Sequence, residues 1–402
     1  MLIPKYRFPE FKEDWLQTSL GEVVEENLEP IPIPQNGYTR VGIYCHAKGT
    51  FQEYVPEGKG LDVDTMYVVH KDNLIVNITF AWEHAIAITK EEDEGKIVSH
   101  RFPTYKFKEG QIPAFYKYLI LDKRMEYNLM VASPGGAGRN RVLNKEQFLQ
   151  IPIKIPSTAE QQKISDFLSC IDSKIKNQER IVKDYEDMKK GLIQKLFSQQ
   201  IRFKKQDGSN YPDWKLTSIG EVMTSLEYGL SVPSKKFDGK NKYIRITDID
   251  DNTHQYLNDD VVSPDGNLLD KFLVKENDLL FARTGASVGK TYLYNPKDGK
   301  MYFAGYLIRG HIKEDYDSYF IFLQTISSNY KNWVKKISMR SGQPGLNKND
   351  YEKFSFMCPS SIEEQNKISS AIKTFQSKIL IEQQILEDYK TLKKALLQQM
   401  FP

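Results

Sequence analysis

The segment Gly285-Ala286-Ser287-Val288-Gly289-Lys290-Thr291 has the residue types of a phosphate cradle. A P-loop needs four residues between its glycines, so that successive backbone amides wrap a phosphate, and it must then open a helix. Only three residues lie between Gly285 and Gly289, and Thr291-Tyr292-Leu293-Tyr294-Asn295-Pro296 reads as a strand. What remains is a basic turn between strands. Arg283, Thr284, Ser287 and Lys290 in this turn, with Arg245 in the run Lys242–Ile246, have the donors to meet nucleic-acid phosphates or base edges. Two other glycine-rich segments carry donors in the same way, Ser133-Pro134-Gly135-Gly136-Ala137-Gly138-Arg139-Asn140-Arg141 and Arg340-Ser341-Gly342-Gln343-Pro344-Gly345-Leu346-Asn347. The candidates there are Ser133, Arg139 and Arg141, with Asn144 and Lys145 just beyond, and Arg340, Ser341, Gln343, Asn347 and Lys348. Composition alone suits a plain surface loop equally well. The parallel placement of the two segments favours function.

No catalytic residue and no metal ligand set is predicted. His46, His70, His84, His100, His254 and His311 are scattered without a zinc-binding pair at helical spacing. The pairs Asp250-Asp251 and Asp259-Asp260 sit in polar turns, and no Gly-x-Ser-x-Gly elbow is present. Neither an Asn-Pro-Pro-Tyr loop for holding a base amine nor a glycine-rich methyl-donor loop is found.

The 402 residues leave room for two ordinary domains, and 40% apolar with 27% charged residues is the composition of a globular protein. A net charge of +3 permits nucleic-acid binding without demanding it. The N-terminus lacks an apolar signal region and no run approaches a membrane span, so a cytoplasmic protein without membrane contact is expected. Cys45, Cys170 and Cys358 have neither metal nor redox spacing, and Cys170 is expected in a core.

The chain says most things twice. Trp15-Leu16-Gln17-Thr18-Ser19-Leu20-Gly21-Glu22-Val23 reappears as Trp214-Lys215-Leu216-Thr217-Ser218-Ile219-Gly220-Glu221-Val222, an offset of 199 residues (214 − 15). Leu143-Asn144-Lys145 returns as Leu346-Asn347-Lys348, and Pro156-Ser157-Thr158-Ala159-Glu160-Gln161-Gln162-Lys163-Ile164 as Pro359-Ser360-Ser361-Ile362-Glu363-Glu364-Gln365-Asn366-Lys367-Ile368. Between these borders lie short β-rich runs, Met66–Val69, Leu74–Ile78 and Ala85–Ile88 in one half, and Lys242–Ile246, Asp278–Ala282 and Lys290–Tyr294 in the other. The segments Phe115–Ile120 and Tyr319–Gln324 suit helices covering a sheet. The central segments hardly resemble each other in sequence, so a duplicated scaffold carries two diverged α+β inserts.

Each half ends in a helical stripe. Ile164, Leu168, Ile171, Ile175, Val182, Tyr185, Leu192 and Leu196 alternate steps of four and three, as do Ile368, Ile372, Phe375, Ile379, Leu386, Tyr389, Leu396 and Met400. Gln178 and Glu382 interrupt the two stripes at equivalent positions. Roughly 36 residues make a rod of order 55 Å, too long to bury its stripe within one compact half. The shared register predicts that the two helices pair with each other as an antiparallel coiled coil. The alternative is two helices that each lie on their own domain.

In order and duplication these features resemble the specificity (S) subunit of type I DNA restriction-modification enzymes, over essentially the whole chain. The resemblance rests on the two Trp…Leu/Ile-Gly-Glu-Val openings, on Ser-Gly-Gln-Pro-Gly-Leu-Asn at 341–347 and on the Pro-Ser…Glu-Gln-x-Lys-Ile helix starts. The endings Lys189-Lys190-Gly191-Leu192-Ile193-Gln194-Lys195-Leu196-Phe197 and Lys393-Lys394-Ala395-Leu396-Leu397-Gln398-Gln399-Met400-Phe401 agree. Ser133–Arg141 departs from the Ser-Gly-Gln pattern. The resemblance implies target-recognition domains at 1–155 and 201–358 and spacer helices at 156–200 and 359–402. Each domain would read half of a split double-stranded DNA site. It further implies docking by two modification subunits that carry S-adenosylmethionine and methylate adenine, and optionally by two restriction subunits that use ATP and Mg. The chain itself would bind no cofactor. A coiled-coil scaffold without DNA recognition predicts no salt-dependent DNA binding, and a nucleotide-using enzyme around Gly285–Thr291 predicts ATP binding.

Overall fold

The computed structural model describes residues 4–57, 63–135, 141–339 and 345–402. They form two compact units, Met1–Val182 with Glu382–Pro402, and Lys183–Ile381.

In the first unit a four-stranded antiparallel sheet has the order Val24–Glu26, Thr104–Phe107, Leu74–Val76, Ile86–Ile88. Leu74-Ile75-Val76 is apolar at every position because both faces of this strand are covered. Leu74 and Val76 face the main core, with Trp15, Phe115 and Phe148. Ile75 faces a second cluster with Val41 and Val98, where the five-stranded sheet Glu29–Pro32, Thr65–Val68, Ile97–Val98, Tyr38–Ile43, Thr50–Val55 packs. Helices Pro113–Leu119 and Lys123–Val131 complete the main core.

The second unit repeats this plan. Its four-stranded antiparallel sheet has the order Met223–Tyr228, Leu307–Ile312, Asp278–Ala282, Thr291–Leu293. Leu279 and Phe281 again face the main core while Leu280 and Ala282 face another. Beside it, Ser234–Lys236 pairs antiparallel with Val262–Pro264, and Lys242–Ile244 pairs parallel with Met301–Phe303. Inserts whose sequences have drifted apart thus keep the order of the four-stranded sheet, whose central strand needs only apolar side chains, while the strands beside it are arranged differently.

The long helices span Thr158–Phe197 and Ile362–Met400. Within the first unit, Asp172 meets Lys393 at 2.6 Å and Gln178 meets Glu382. Within the second, Lys189 meets Gln376 at 2.5 Å and the Lys378 ammonium lies 5.9 Å from the Tyr185 ring centre. Residue numbers rise along one helix as they fall along the other, so the pairing is antiparallel in each unit. The two interruptions of the stripes are mutual partners: the Gln178 amide donates to the Glu382 carboxylate at 2.5 Å and to its backbone carbonyl at 3.0 Å. Such a polar pair in an apolar seam fixes register.

The helix ends belong to the globular cores. Leu196 and Phe197 pack with Trp214 and Phe320 in the second unit, the Phe197 and Phe320 rings 5.7 Å apart. Met400 and Phe401 pack in the first, with Phe401 6.0 Å from Trp15 and 5.5 Å from Phe115. Each tryptophan core is therefore closed by the helix that begins in the other unit. Cys170, expected in a core, is exposed. It follows the buried Leu168 by two residues, which at 3.6 residues per turn points it to the opposite face.

The repeated Glu-Gln of the helix starts has a physical role in both units. Glu160, buried in the first turn, accepts two hydrogen bonds of 2.8 Å from Arg7 and one of 3.3 Å from the Trp15 indole. Glu364 accepts 3.1 and 2.9 Å bonds from Arg202. Gln161 bonds the Pro156 carbonyl and the Ile112 amide, as Gln365 bonds the Pro359 carbonyl and the Asp317 amide. These side chains lock each long helix to the domain that precedes it. Replacing Glu160 with Ala removes the carboxylate that Arg7 and the Trp15 indole share and should destabilise the first unit by about 1 to 3 kcal/mol. Thermal denaturation checks this, and an unchanged midpoint would contradict the clamp.

Candidate nucleic-acid interface

Arg283 leaves the doubly buried Asp278–Ala282 strand, so its backbone is fixed while its side chain reaches the surface. Its amide donates to Tyr306 O at 3.0 Å and its carbonyl accepts from Leu346 N at 2.9 Å. The guanidinium carbon lies 4.8 Å from the centre of the Tyr228 ring, a cation–aromatic contact that orients it without neutralising it. No carboxylate pairs with Arg283 among the described residues. Tyr228 and Tyr306 are exposed beside it. Neither was a candidate from sequence, because an isolated tyrosine in a strand carries no pattern that separates surface from core.

The turn that follows is a 3-10 segment, Gly285–Ser287, closed by Gly289 at φ +84°. A Cβ at Gly289 would come within 2.6 Å of Val334, so only glycine fits. Thr284, which bridges to Gly345, and Ser287 are half-buried in this turn. The strand Thr291–Leu293 comes next, as expected, and no P-loop helix follows.

Lys290 points inward: its ammonium donates to Ile249 O at 2.9 Å and pairs with Asp251 at 2.5 Å. Arg245 is held by Asp248 and Asp260 at 2.7 and 3.0 Å. These two charges brace loops. Asn347 caps helix Lys348–Glu352, accepting from Asp350 N at 3.0 Å, and Lys348 is exposed in its first turn.

In the first unit the corresponding border does the same work. Asn144 caps helix Lys145–Leu149, accepting from Gln147 N at 3.0 Å. The repeated Leu-Asn-Lys is thus a buried leucine, a helix cap and a first-turn lysine. Lys145 pairs with Glu26 at 2.8 Å, buried Ser133 donates to Leu129 O at 2.7 Å, and Arg141 stands 5.6 Å from the centre of the Trp82 ring. Arg139, Arg340, Ser341 and Gln343 lie outside the described residues. The structure therefore brings Arg283 and the Lys348 backbone to Tyr228, leaves Thr284 and Ser287 half-buried in the turn after Arg283, and gives Ser133, Lys145, Arg245 and Lys290 partners within the chain.

The family model for the type I restriction modification DNA specificity domain matches residues 12–183 and again 211–390. The chain belongs to this family. It is a non-catalytic specificity subunit, the component that confers DNA sequence recognition on a type I restriction-modification system. A relative from Methanocaldococcus jannaschii named as the MjaVIII type I restriction enzyme specificity subunit is 22% identical, over 70% of this chain and 68% of its own. A second from the same organism, carrying the MjaX specificity subunit name, is 23% identical over 98% of this chain and 94% of its own. The solved type I restriction-modification S subunit of M. genitalium has a TM-score of 0.58 at 12% identity, covering 100% of this chain and 99% of its own. A chain solved in a study of type I assembly and conformational transition also scores 0.58, at 16% identity over 96% and 97%. These two likenesses concern the fold. Among the described residues no cluster of three or more His, Cys, Asp or Glu could hold a metal, and no helix is long and apolar enough to cross a membrane.

In the first subunit half, His84 closes the turn equivalent to that of Gly289, at φ +60°. Burial, the largest effect, pushes its imidazole below the ordinary 6.5, with His46 adding to the depression. A 2.7 Å hydrogen bond to Ile120 O and the charge of Glu126 partly oppose this. A depressed folded-state pKa means that the unfolded chain binds this proton first. The contribution of neutral His84 is therefore complete above about pH 6.5 and is lost as pH falls through the folded value. His84→Asn, which tolerates positive φ, should lower stability at pH 7.5 yet show a shallower loss between pH 7.5 and 5.5 than the wild type. Urea unfolding at the two pH values measures this, and an equal or steeper loss would contradict the assignment.

Proposed function

We propose that this specificity subunit reads a two-part double-stranded DNA site, one part with each target-recognition domain, and directs adenine methylation. Two modification subunits would supply S-adenosylmethionine and the chemistry. Two restriction subunits, using ATP and Mg, would add cleavage. The chain would bind no cofactor, and the paired helices would set the gap between the half-sites.

One observation carries this reading. The same four-stranded sheet occurs in both units and delivers a turn from the same strand junction, but the side chains on the two turns differ. The same strand order with unequal turns is what two readers of different half-sites require. Base edges in the major groove are told apart by hydrogen-bonding pattern and by the thymine methyl, so discrimination lives in side chains. Arg283 can pair with guanine through two hydrogen bonds.

Mapping methylated adenines in DNA exposed to the chain and its modification subunit tests the reading. Methylation at a split site is expected from the mixture and none from the purified chain; transfer by the chain alone would overturn the proposal. Arg283→Ala should leave folding intact and cost roughly 1 to 3 kcal/mol of discrimination at one position of one half-site. A phosphate contact would instead weaken all sequences and flatten the salt dependence. A methylation profile unchanged in both halves would remove Arg283 from recognition.

A further inference from the structure

The two units answer a question about the first half that its sequence left open. Two hairpin connections correspond at an offset of 205 (282 − 77), and each is closed by an equivalent hydrogen bond. Asn77 N donates to Ala85 O at 3.0 Å, as Ala282 N donates to Lys290 O at 2.8 Å. A 3-10 segment follows in each, Ala81–Glu83 and, one residue earlier in the matching frame, Gly285–Ser287, and a positive-φ residue closes each, His84 and Gly289; Gly285 adds a second positive φ where Phe80 is at −129°. Each is also tied to the segment after a glycine-rich stretch by one hydrogen bond, Leu143 N to Ile78 O at 2.8 Å and Leu346 N to Arg283 O at 2.9 Å.

The side chains on the two connections are unlike. Phe80 stands where Gly285 does and Trp82 where Ser287 does, and Ile78 replaces Arg283. Phe80 is 46% exposed, although the main core of its unit begins at the next residue, the fully buried Ala81. The cation of this region comes from outside the turn, as Arg141 placed against the Trp82 ring.

We propose that Phe80 is a specificity-determining residue of the first target-recognition domain, reading a thymine by contact with its C5-methyl group, with Arg141 on Trp82 meeting an adjacent phosphate. This rests on the two-part reading above. Phenylalanine has no donor or acceptor, so the base feature it distinguishes in the major groove is the one apolar group exposed there, the thymine methyl. Arg141 is half-buried with its guanidinium against an aromatic face, a geometry that leaves its N–H edge available to a phosphate oxygen.

The test uses the chain assembled with its modification subunits and duplexes carrying the mapped site, with each thymine replaced in turn by deoxyuridine, which lacks only the methyl group. At one position in the half-site that Arg283→Ala does not alter, the replacement should lower wild-type methylation about fourfold, the worth of one buried methyl. Phe80→Ala should be insensitive to that same replacement and should keep the wild-type thermal midpoint. Wild type indifferent to every replacement, or equal sensitivity in wild type and Phe80→Ala, overturns the proposal. If Arg283→Ala shifts one half-site while Phe80→Ala matches wild type throughout, the Phe80 assignment falls and the two-part reading stands. A wild-type complex with no sequence preference removes both.

Discussion

An arginine bound to a buried carboxylate at the root of each long helix fixes how that helix leaves the domain before it. Glu160 and Glu364 lie in the first helical turns, where the helix dipole favours negative charge, and each takes a forked pair of hydrogen bonds from an arginine far away in sequence. Against an apolar replacement such a pair adds little stability, because both charges lose their water. Its value is directional. A forked arginine–carboxylate pair has one good geometry, so it sets where the helix leaves its domain, and the Trp15 indole bonded to the same carboxylate ties that exit to the core.

The exit direction matters because the far end of each helix has a fixed destination as well. Met400 and Phe401 fill the tryptophan core of the first unit, and Leu196 and Phe197 that of the second. Within each unit, the start of one helix is held by a charge pair and the end of the other by aromatic packing. The Gln178–Glu382 pair opposes sliding, since a shifted register would strand two polar groups in an apolar seam.

Much of this was legible in the sequence for a simple reason. Helical seams and duplicated borders are patterns of residue type at fixed spacing, and both long helices and the strands around Leu74 and Asp278 follow from them. The arginine clamps were not legible. Arg7-Phe8 recurs as Arg202-Phe203, but the distance to the next tryptophan is eight residues in one half and twelve in the other (15 − 7, 214 − 202), so the repeat falls out of register. The kinship of the inserts was hidden as well, since an interior strand needs only to be apolar and almost any substitution preserves that. Candidate binding residues were the least legible part. A basic residue near glycines looks the same whether it faces solvent, like Arg283, or turns inward to backbone carbonyls, like Lys290. Only tertiary structure separates the two. Phe80 and Tyr228 were overlooked because aromatic residues are more often core.

The proposed two-part reading requires the paired helices to set the gap between the half-sites. Inserting seven residues into each long helix, at facing positions, keeps the coiled-coil register and lengthens the rod by about 10 Å. At about 3.4 Å per base pair this is about three base pairs. Sequencing the adenines methylated by the assembled complex should return both half-sites unchanged, with the gap between them about three base pairs longer. An unchanged gap, with methylation still specific, would contradict the account.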